Sequence, residues 1–593
     1  MWEPGTRVRC LAVVLISVCG LWVFGCQGQG KEAPPPEQKE SAAGVEAKET
    51  AKPEQPSAST KQEGVAEEQT PVSEAAPKEA KEAVEGAAPN RGALIARGKA
   101  IYARLCAGCH GPNGDGNGPA APYLWPKPRN FRSAKFRLVS TKNRVPTNED
   151  LLGVLNRGMP GSAMFPFPAL SDQEKRAVIA YVRELMRQGV EEELRRAYEQ
   201  AGVEVDEQQL AEDVRRRTEP GELFPKPTQV PPATEQLLAQ GKELYTKNCA
   251  SCHGEDGKGS GVEEQYNDDG TPTRPRDFTK GYFKGEGDPA TLFVRLRVGM
   301  PGSPMPEYPQ LSDEQIWALV HYVRSMVPEG VEERVVHRRV ELVAKRVQAA
   351  LSGEISDEVW QGVPAQRIVL SPLWWREFED PDLHVQAVHD GKLLALRLTW
   401  HDATRNDSAA RLDAFDDKVA VQFFKGEEEP FLGMGWSDAQ VFVWAWHAGW
   451  QRDLKGYADV ETEYPRGYAD WYPFARDANG RVDQENPFVT ARTAGNLLAD
   501  PARGVAVESA AARRFGSLSF LPKPSQNVVA TATWSDGKWT VILKRSLAGS
   551  SEDELSLEPG DRVSVAFAVW DGAARDRDGQ KLVSIWNDLL IEP

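Results

Sequence analysis

The chain has 593 residues, 40% of them hydrophobic and 27% charged, which suffices for three or four domains and excludes a single small fold. Lys and Arg number 71 against 87 Asp and Glu, a formal net charge of −16; this excludes a nucleic-acid binder that relies on neutralising phosphates and makes a basic partner the natural complement. The seven cysteines, at 10, 19, 26, 106, 109, 249 and 252, leave none in the last 341 residues, so a disulfide scaffold is excluded too.

Residues 1–26 read as an export segment. Arg7 and Arg9 precede an apolar run from Cys10 to Gly25, whose 16 residues are short for a membrane span and normal for the core of a secretory signal. The run ends at Val23-Phe24-Gly25-Cys26, which resembles the bacterial lipoprotein processing box, with Phe24 where a small residue is usual. The resemblance implies that Cys26 is the acylated first residue of the mature chain; an uncleaved N-terminal anchor helix is the alternative. Either way the body is expected to be exported and tethered on the periplasmic side of the membrane. Residues 27–90 contain no Leu, Ile, Met, Phe, Tyr or Trp, cannot bury enough apolar area to offset their ordering entropy, and are expected to form a disordered linker.

The body contains an internal repeat. ARGKAIYARLCAGCHGPNGD (97–116) returns as AQGKELYTKNCASCHGEDGK (239–258), and RGMPGSAMFPFPALSDQEKRAVIAYVREL (157–185) returns as VGMPGSPMPEYPQLSDEQIWALVHYVRSM (298–326). In both copies a helical pattern runs into Cys-x-x-Cys-His and a Gly-rich turn, and Leu-Ser-Asp opens an amphipathic helix with Ser171 or Ser312 as N-cap. Two homologous domains are predicted, over 91–189 and 231–328, joined by a charged, solvated helical connector at 190–230.

Cys-x-x-Cys-His is the attachment pattern for covalent haem: Cys106 and Cys109, or Cys249 and Cys252, join the vinyl groups, and His110 or His253 reaches the iron. A zinc or redox pair is the competing reading, but neither repeat holds a second Cys pair to complete a zinc site. Each repeat offers two methionines before its last helix as sixth ligand, Met159 and Met164, then Met300 and Met305; a thioether there raises the potential and closes the site to oxygen. The repeats resemble class I cytochromes c, whose ligand Met is followed by Pro and an aromatic residue. That resemblance implies all-α domains with Met164 and Met305 as ligands, Met159 and Met300 as packing residues, and His321 as a packing or propionate-side residue.

After a charged connecting helix at 329–354, residues 355–593 differ in kind. This C-terminal part of the chain holds 13 of its 17 tryptophans, and stretches such as LLALRLTW, KVAVQFF, QVFVWAW and KWTVILKRSL alternate with period two, which predicts an all-β sandwich. The pieces HDGKLLALRLTWHDATRND, EPFLGMGWSDAQVFVWAWHAG and AFAVWDGAARDRDGQKLVSIW resemble the haem-binding gamma subunit of ethylbenzene dehydrogenase and its relatives, subunits of exported molybdenum enzymes of the dimethyl sulfoxide reductase family. The resemblance implies one haem b between a Met and a Lys. The Pro-Phe…Met-Gly element falls on Pro430, Phe431, Gly433, Met434 and Gly435, and Met434 is the only methionine after residue 326. A neutral amine binds iron only where its protonation is suppressed; Lys544, in a strand, is the first choice, ahead of Lys523, with His447 as a rival ligand. The stretch 453–474 is long for the family, and fusion to two cytochrome repeats is not that subunit's usual build.

The expected protein is therefore a multihaem electron-transfer protein with two haem c and, by resemblance, one haem b. It would relay electrons between molybdopterin and iron–sulfur subunits and a small redox carrier, without catalysis of its own. A free-standing dihaem cytochrome c with a haem-free sandwich serving as a binding module is the alternative. A dihaem peroxidase would need an open sixth site, against which a Met in both repeats argues. No nucleophile triad, phosphate loop or metal-hydrolase motif is present.

Overall fold

A computed structural model describes residues 90–593 apart from 262–263, 377–381, 409–410, 437–438, 457–463, 465, 467–495 and 501–502. The export segment with Cys26, the linker up to residue 89 and most of the long stretch 453–474 lie outside the described residues.

The first repeat comprises α1 (Arg91–Leu105), α2 (Ala107–His110), α3 (Asn148–Arg157) and α4 (Asp172–Ala201); the second comprises α6 (Glu235–Asn248), α7 (Ala250–His253), α8 (Pro289–Val298) and α9 (Asp313–Ser325), with a small hairpin of β1 (Gln265–Tyr266) and β2 (Pro272–Thr273). Between them lies α5 (Glu207–Thr218). Ser171 and Ser312 cap α4 and α9 in capping boxes with Glu174 and Gln315, so each helix starts where the Leu-Ser-Asp pattern puts it. In both repeats the first helix crosses the last at a glycine: a Cβ on Gly98 would run into the Ala177 carbonyl, and one on Gly241 into the Ala318 carbonyl. Only Gly permits that approach of two backbones.

Two expectations about the connectors are revised. Helix α4 continues for 30 residues through the expected boundary at 189, and α5 folds back on it through Val190, Leu210 and Val214; the connector is thus half a continuation of the first repeat, with an apolar stripe of its own. The expected helix over 329–354 is a single turn, α10 (Val331–Arg334), followed by strand β3 (Glu341–Arg346). Helical charge spacing lost to pairing: Leu342 and Ala344 alternate into the core, and β3 runs parallel to the strand at 587–591 and to that at 383–389.

The remaining described strands are β4 (Gln366–Ile368), β5 (Ser371–Pro372), β6 (Leu383–His389), β7 (Leu393–His401), β8 (Lys418–Phe424), β9 (Val441–His447), β10 (Val507–Ala512), β11 (Ser519–Phe520), β12 (Val529–Ser535), β13 (Lys538–Ser546), β14 (Arg562–Trp570), β15 (Leu582–Val583) and β16 (Asn587–Ile591). With β3 the main path runs β11-β10-β9-β8-β14-β16-β3-β6-β7-β13-β12, while β4 pairs with β6, and β15 with β14 and β5, off that path; β3 lets one continuous ladder fold into two facing layers. Between the layers lies a single core that includes Val421, Trp444, Val541, Val565 and the cluster Trp400, Trp446 and Trp539, whose ring centroids are 4.9 to 6.3 Å apart. No helix among the described residues is long and apolar enough to cross a membrane.

Candidate functional site

Each Cys-x-x-Cys-His sits on a one-turn helix that follows directly from the first helix of its repeat, so both thiols and the imidazole point into one cavity. The first cavity, about 700 Å³, is lined by Cys106, Cys109, His110, Met159 and Met164; the second, about 320 Å³, by Cys249, Cys252, His253, Met300 and Met305. All four cysteines are free. Burial pushes the thiols of Cys106, Cys109 and Cys249 up to about 12 and pushes His110 and His253 down to about 4. The imidazoles are therefore neutral and keep a lone pair for a metal.

The histidines are stacked alike in both copies, whereas a hydrogen bond at Nδ1 is found for His110 and His253 Nδ1 is buried without one. His110 Nδ1 donates to the Arg129 carbonyl oxygen at 2.9 Å, because a carbonyl can only accept, and this leaves Nε2 free to face the cavity. The imidazole stacks on Phe131 at 4.4 Å, and Phe131 on Phe136 at 5.7 Å; His253, Phe278 and Phe283 repeat the stack at 4.8 and 5.5 Å. Tyr102 and Tyr245 donate from their hydroxyls to the carbonyls of Gly111 and Gly254, just after the two histidines, at 2.7 and 2.8 Å. Across the cavities the methionine loops close on themselves: Met159 N–H donates to the Met164 carbonyl at 2.7 Å and Met300 N–H to that of Met305 at 3.1 Å. His321 is buried on α9 and stacked on Trp317 at 6.1 Å.

In the sandwich Met434 lies in the turn after β8 with φ +77°, a left-handed conformation costly for Met. It packs on Phe424, Val441, Ala512, Ala566 and Trp586, over the face of the β10-β9-β8-β14 layer turned away from the core. Along that face the side chains are small, with Ala420, Ala445 and Ala568 in one row across three strands. The structure does not bring Lys544 to Met434. Lys544 alternates with the inward-facing Leu543 and Arg545 on the opposite layer, and its Nζ donates to the Gly353 carbonyl at 2.5 Å. His447 is held by Glu508 at 3.3 Å and stacks on Trp450 at 4.2 Å, so it is packed. Lys523 opens a short 3-10 turn.

A different lysine lies over the Met434 face. Lys581 Nζ sits 4.6 Å from the centroid of Trp570, at the far end of the same row of strands, and makes no hydrogen bond or ion pair among the described residues. Burial pushes it down to about 8, which favours the neutral amine that a metal needs. Its neighbourhood, Asp-Gly-Gln-Lys, reads as a turn, and a rule preferring lysines within strands passes over it.

The sandwich loop and the first cavity touch. Pro430, Phe431, Leu432 and Trp586 join the first cavity's wall, and a Cβ on Gly108, between Cys106 and Cys109, would stand 2.7 Å from the Phe431 ring. Arg104, two residues before Cys106, ion-pairs Glu428 at 3.0 Å and donates to the Glu429 carbonyl. Arg276 and Lys284 line both cavities, which thus share a wall.

Comparison with known families assigns residues 95–186 and 238–327 to cytochrome c and 357–582 to ethylbenzene dehydrogenase. The chain carries two cytochrome c domains and one ethylbenzene dehydrogenase domain. It is 28% identical over 247 residues to the dimethylsulfide dehydrogenase subunit gamma of Rhodovulum sulfidophilum, covering 39% of this chain and 71% of that one. It is 26% identical over 204 residues to the chlorate reductase subunit gamma of Ideonella dechloratans, covering 34% and 62%. Over 103 residues it is 38% identical to the Cbb3-type cytochrome c oxidase subunit CcoP of Rhodobacter capsulatus, covering 16% and 31%. Free thiol pairs, neutral oriented histidines and paired methionine loops around a cavity fit haem in both cytochrome domains, and the chain is an electron-transfer protein.

Proposed function

We propose that the chain is the cytochrome subunit of an exported molybdenum oxidoreductase, relaying electrons between molybdopterin and iron–sulfur subunits and a small redox carrier. Cys106, Cys109, His110 and Met164 would hold one haem c, Cys249, Cys252, His253 and Met305 a second, and Met434 with Lys581 a haem b. Bound iron would supply one-electron oxidation and reduction; the protein supplies neutral axial ligands, exclusion of water and close spacing of the sites. What carries the reading is contact. Phe431, three residues before Met434, packs on the Cys-x-x-Cys turn of the first cytochrome domain, whose cavity shares Arg276 and Lys284 with the second. Contacts join the sandwich to the first cytochrome domain and the first to the second, and Arg274 of the second also lies 5.4 Å over the Trp375 ring of the sandwich. The acylation expected at Cys26 would keep this assembly on the periplasmic face of a membrane, and the partner subunits are inferred from the family resemblance.

Pyridine haemochrome analysis of protein matured in a host able to attach haem covalently tests this. Acid–acetone should extract one haem and leave two. Met434→Ala and Lys581→Ala should each abolish the extractable haem, and Lys544→Ala should keep it. Wild-type protein with no extractable haem would leave the sandwich as a binding module.

A further inference from the structure

The wall between the two cytochrome cavities carries more positive charge than the protein around it balances. Pro128-Arg129-Asn130-Phe131 in the first domain corresponds to Pro275-Arg276-Asp277-Phe278 in the second, and eight residues after each Arg stands another basic residue, Arg137 or Lys284. The repeat thus places two cations per domain at matching positions, and the packing of the domains brings all four together with Arg295 of α8. Arg129, Arg137, Arg276 and Lys284 line the first cavity; Arg276, Lys284 and Arg295 line the second.

None of the five forms an ion pair among the described residues. The bonds they do make go to neutral acceptors: Arg137 to the Asn267 side-chain oxygen at 2.9 Å, Arg276 to the Gly161 carbonyl at 2.7 Å, and Arg295 to the Arg137 carbonyl at 3.1 Å. Arg137 and Arg276 are both only 8% exposed, and the Nε of each is buried without a partner. Asp269 lies near enough to act on Arg129 and Arg137, but Thr271 engages its carboxylate, and Asp268 is paired with Lys135. Burial, then the charges of Arg276, Arg137, Arg129 and Arg295, pushes Lys284 well below the ordinary lysine range. Crowded, buried and unpaired cations are costly unless anions meet them.

We infer that this wall is one shared anion site, which takes propionate carboxylates of the haems in both cytochrome domains. Each haem brings two carboxylates, the cavities on either side are where they would arrive, and guanidinium forks suit carboxylates. Lys284 and Arg276, facing both cavities, would then act on both haems, so that a change on one side of the wall is felt on the other.

This inference rests on the haem reading of the cavities, and one experiment separates the two. Full-length, haem-loaded protein is prepared as wild type, Lys284→Met, Arg137→Gln and Lys284→Arg. Wild-type protein lacking two covalent haems refutes the haem reading itself. With both haems present, spectroelectrochemical titration should show both c-haem midpoints lower in Lys284→Met, whose side chain faces both cavities, and the first-domain midpoint lower in Arg137→Gln, because removing a cation favours the ferric state, and both nearly unchanged in Lys284→Arg. Midpoints that stay put, or a fall in Lys284→Met confined to the second domain, overturn the shared site. Should Lys284→Met and Arg137→Gln fail to accumulate with haem while Lys284→Arg does, the requirement for charge is upheld; equal failure of Lys284→Arg counts against it, since shape would then decide.

Discussion

Single side chains set much of the local chemistry, and the buried acids beside the tryptophan cluster show it away from the haem cavities. Carboxylate oxygens of Asp402, Asp417 and Asp571 lie within 4.8 Å of one another. Asp571 has Arg376 as partner, whereas Asp402 Oδ2 is buried with none. Burial, then Asp571, pushes the Asp402 carboxyl up to about 6; burial, then Asp402, pushes that of Asp417 up to about 8. Both stand above the value of roughly 3.9 in an unfolded chain, so their cost to folding is absent below about pH 4, grows with pH, and is complete above about pH 8. Asp402→Asn leaves an oxygen for the Thr404 N–H, which donates to Asp402 at 3.1 Å, and turns the unpartnered oxygen into a donor. Chemical denaturation of the haem-loaded variant should show about 1 to 2 kcal/mol more stability than wild type at pH 8 and little change near pH 4.5. A loss at pH 8 would sink the like-charge account.

At the scale of elements, the turn from Pro430 to Gly435 links two folds. Met434 serves the outer face of the sandwich and Phe431 the Cys-x-x-Cys turn of the first cytochrome domain, while Arg339 ties Glu429 to Asp588 of β16 at 2.7 Å on each side. Phe431 is only half-buried, so Phe431→Ala should cost about 1 to 2 kcal/mol and leave haem content intact. Flash-photolysis reduction of the sandwich should then pass electrons to the first cytochrome domain more slowly; an unchanged rate would remove Phe431 from the path. The same scale explains the connectors. In residues 341–346 Glu341 and Lys345 stand four apart, a spacing that suits a helix, while Leu342 and Ala344 alternate as in a strand, and only the edges of β16 and β6 decide between them.

For the whole molecule, a formal charge of −16 sets the terms on which it meets other proteins. A cationic small carrier should be steered to it, and stopped-flow electron exchange with such a carrier should slow roughly tenfold between about 0.05 and 0.5 M salt. A rate indifferent to salt would place the exchange surface away from the net field.

How far the sequence alone reached follows from the range of each interaction. Cys106, Cys109 and His110, with their counterparts Cys249, Cys252 and His253, were readable because one helical turn holds all three, and the N-caps Ser171 and Ser312 because a cap is local. Period two in β7 to β9 and in β13 foretold strands, since alternation is a property of the segment itself. Tertiary structure alone decided that β3 joins two sheet layers, that Lys544 faces away from Met434 while Lys581 lies over the same face, and that cations from two repeats meet in one wall. Each of those depends on which distant segment lies opposite, and spacing along a chain carries no record of what packing brings across from elsewhere.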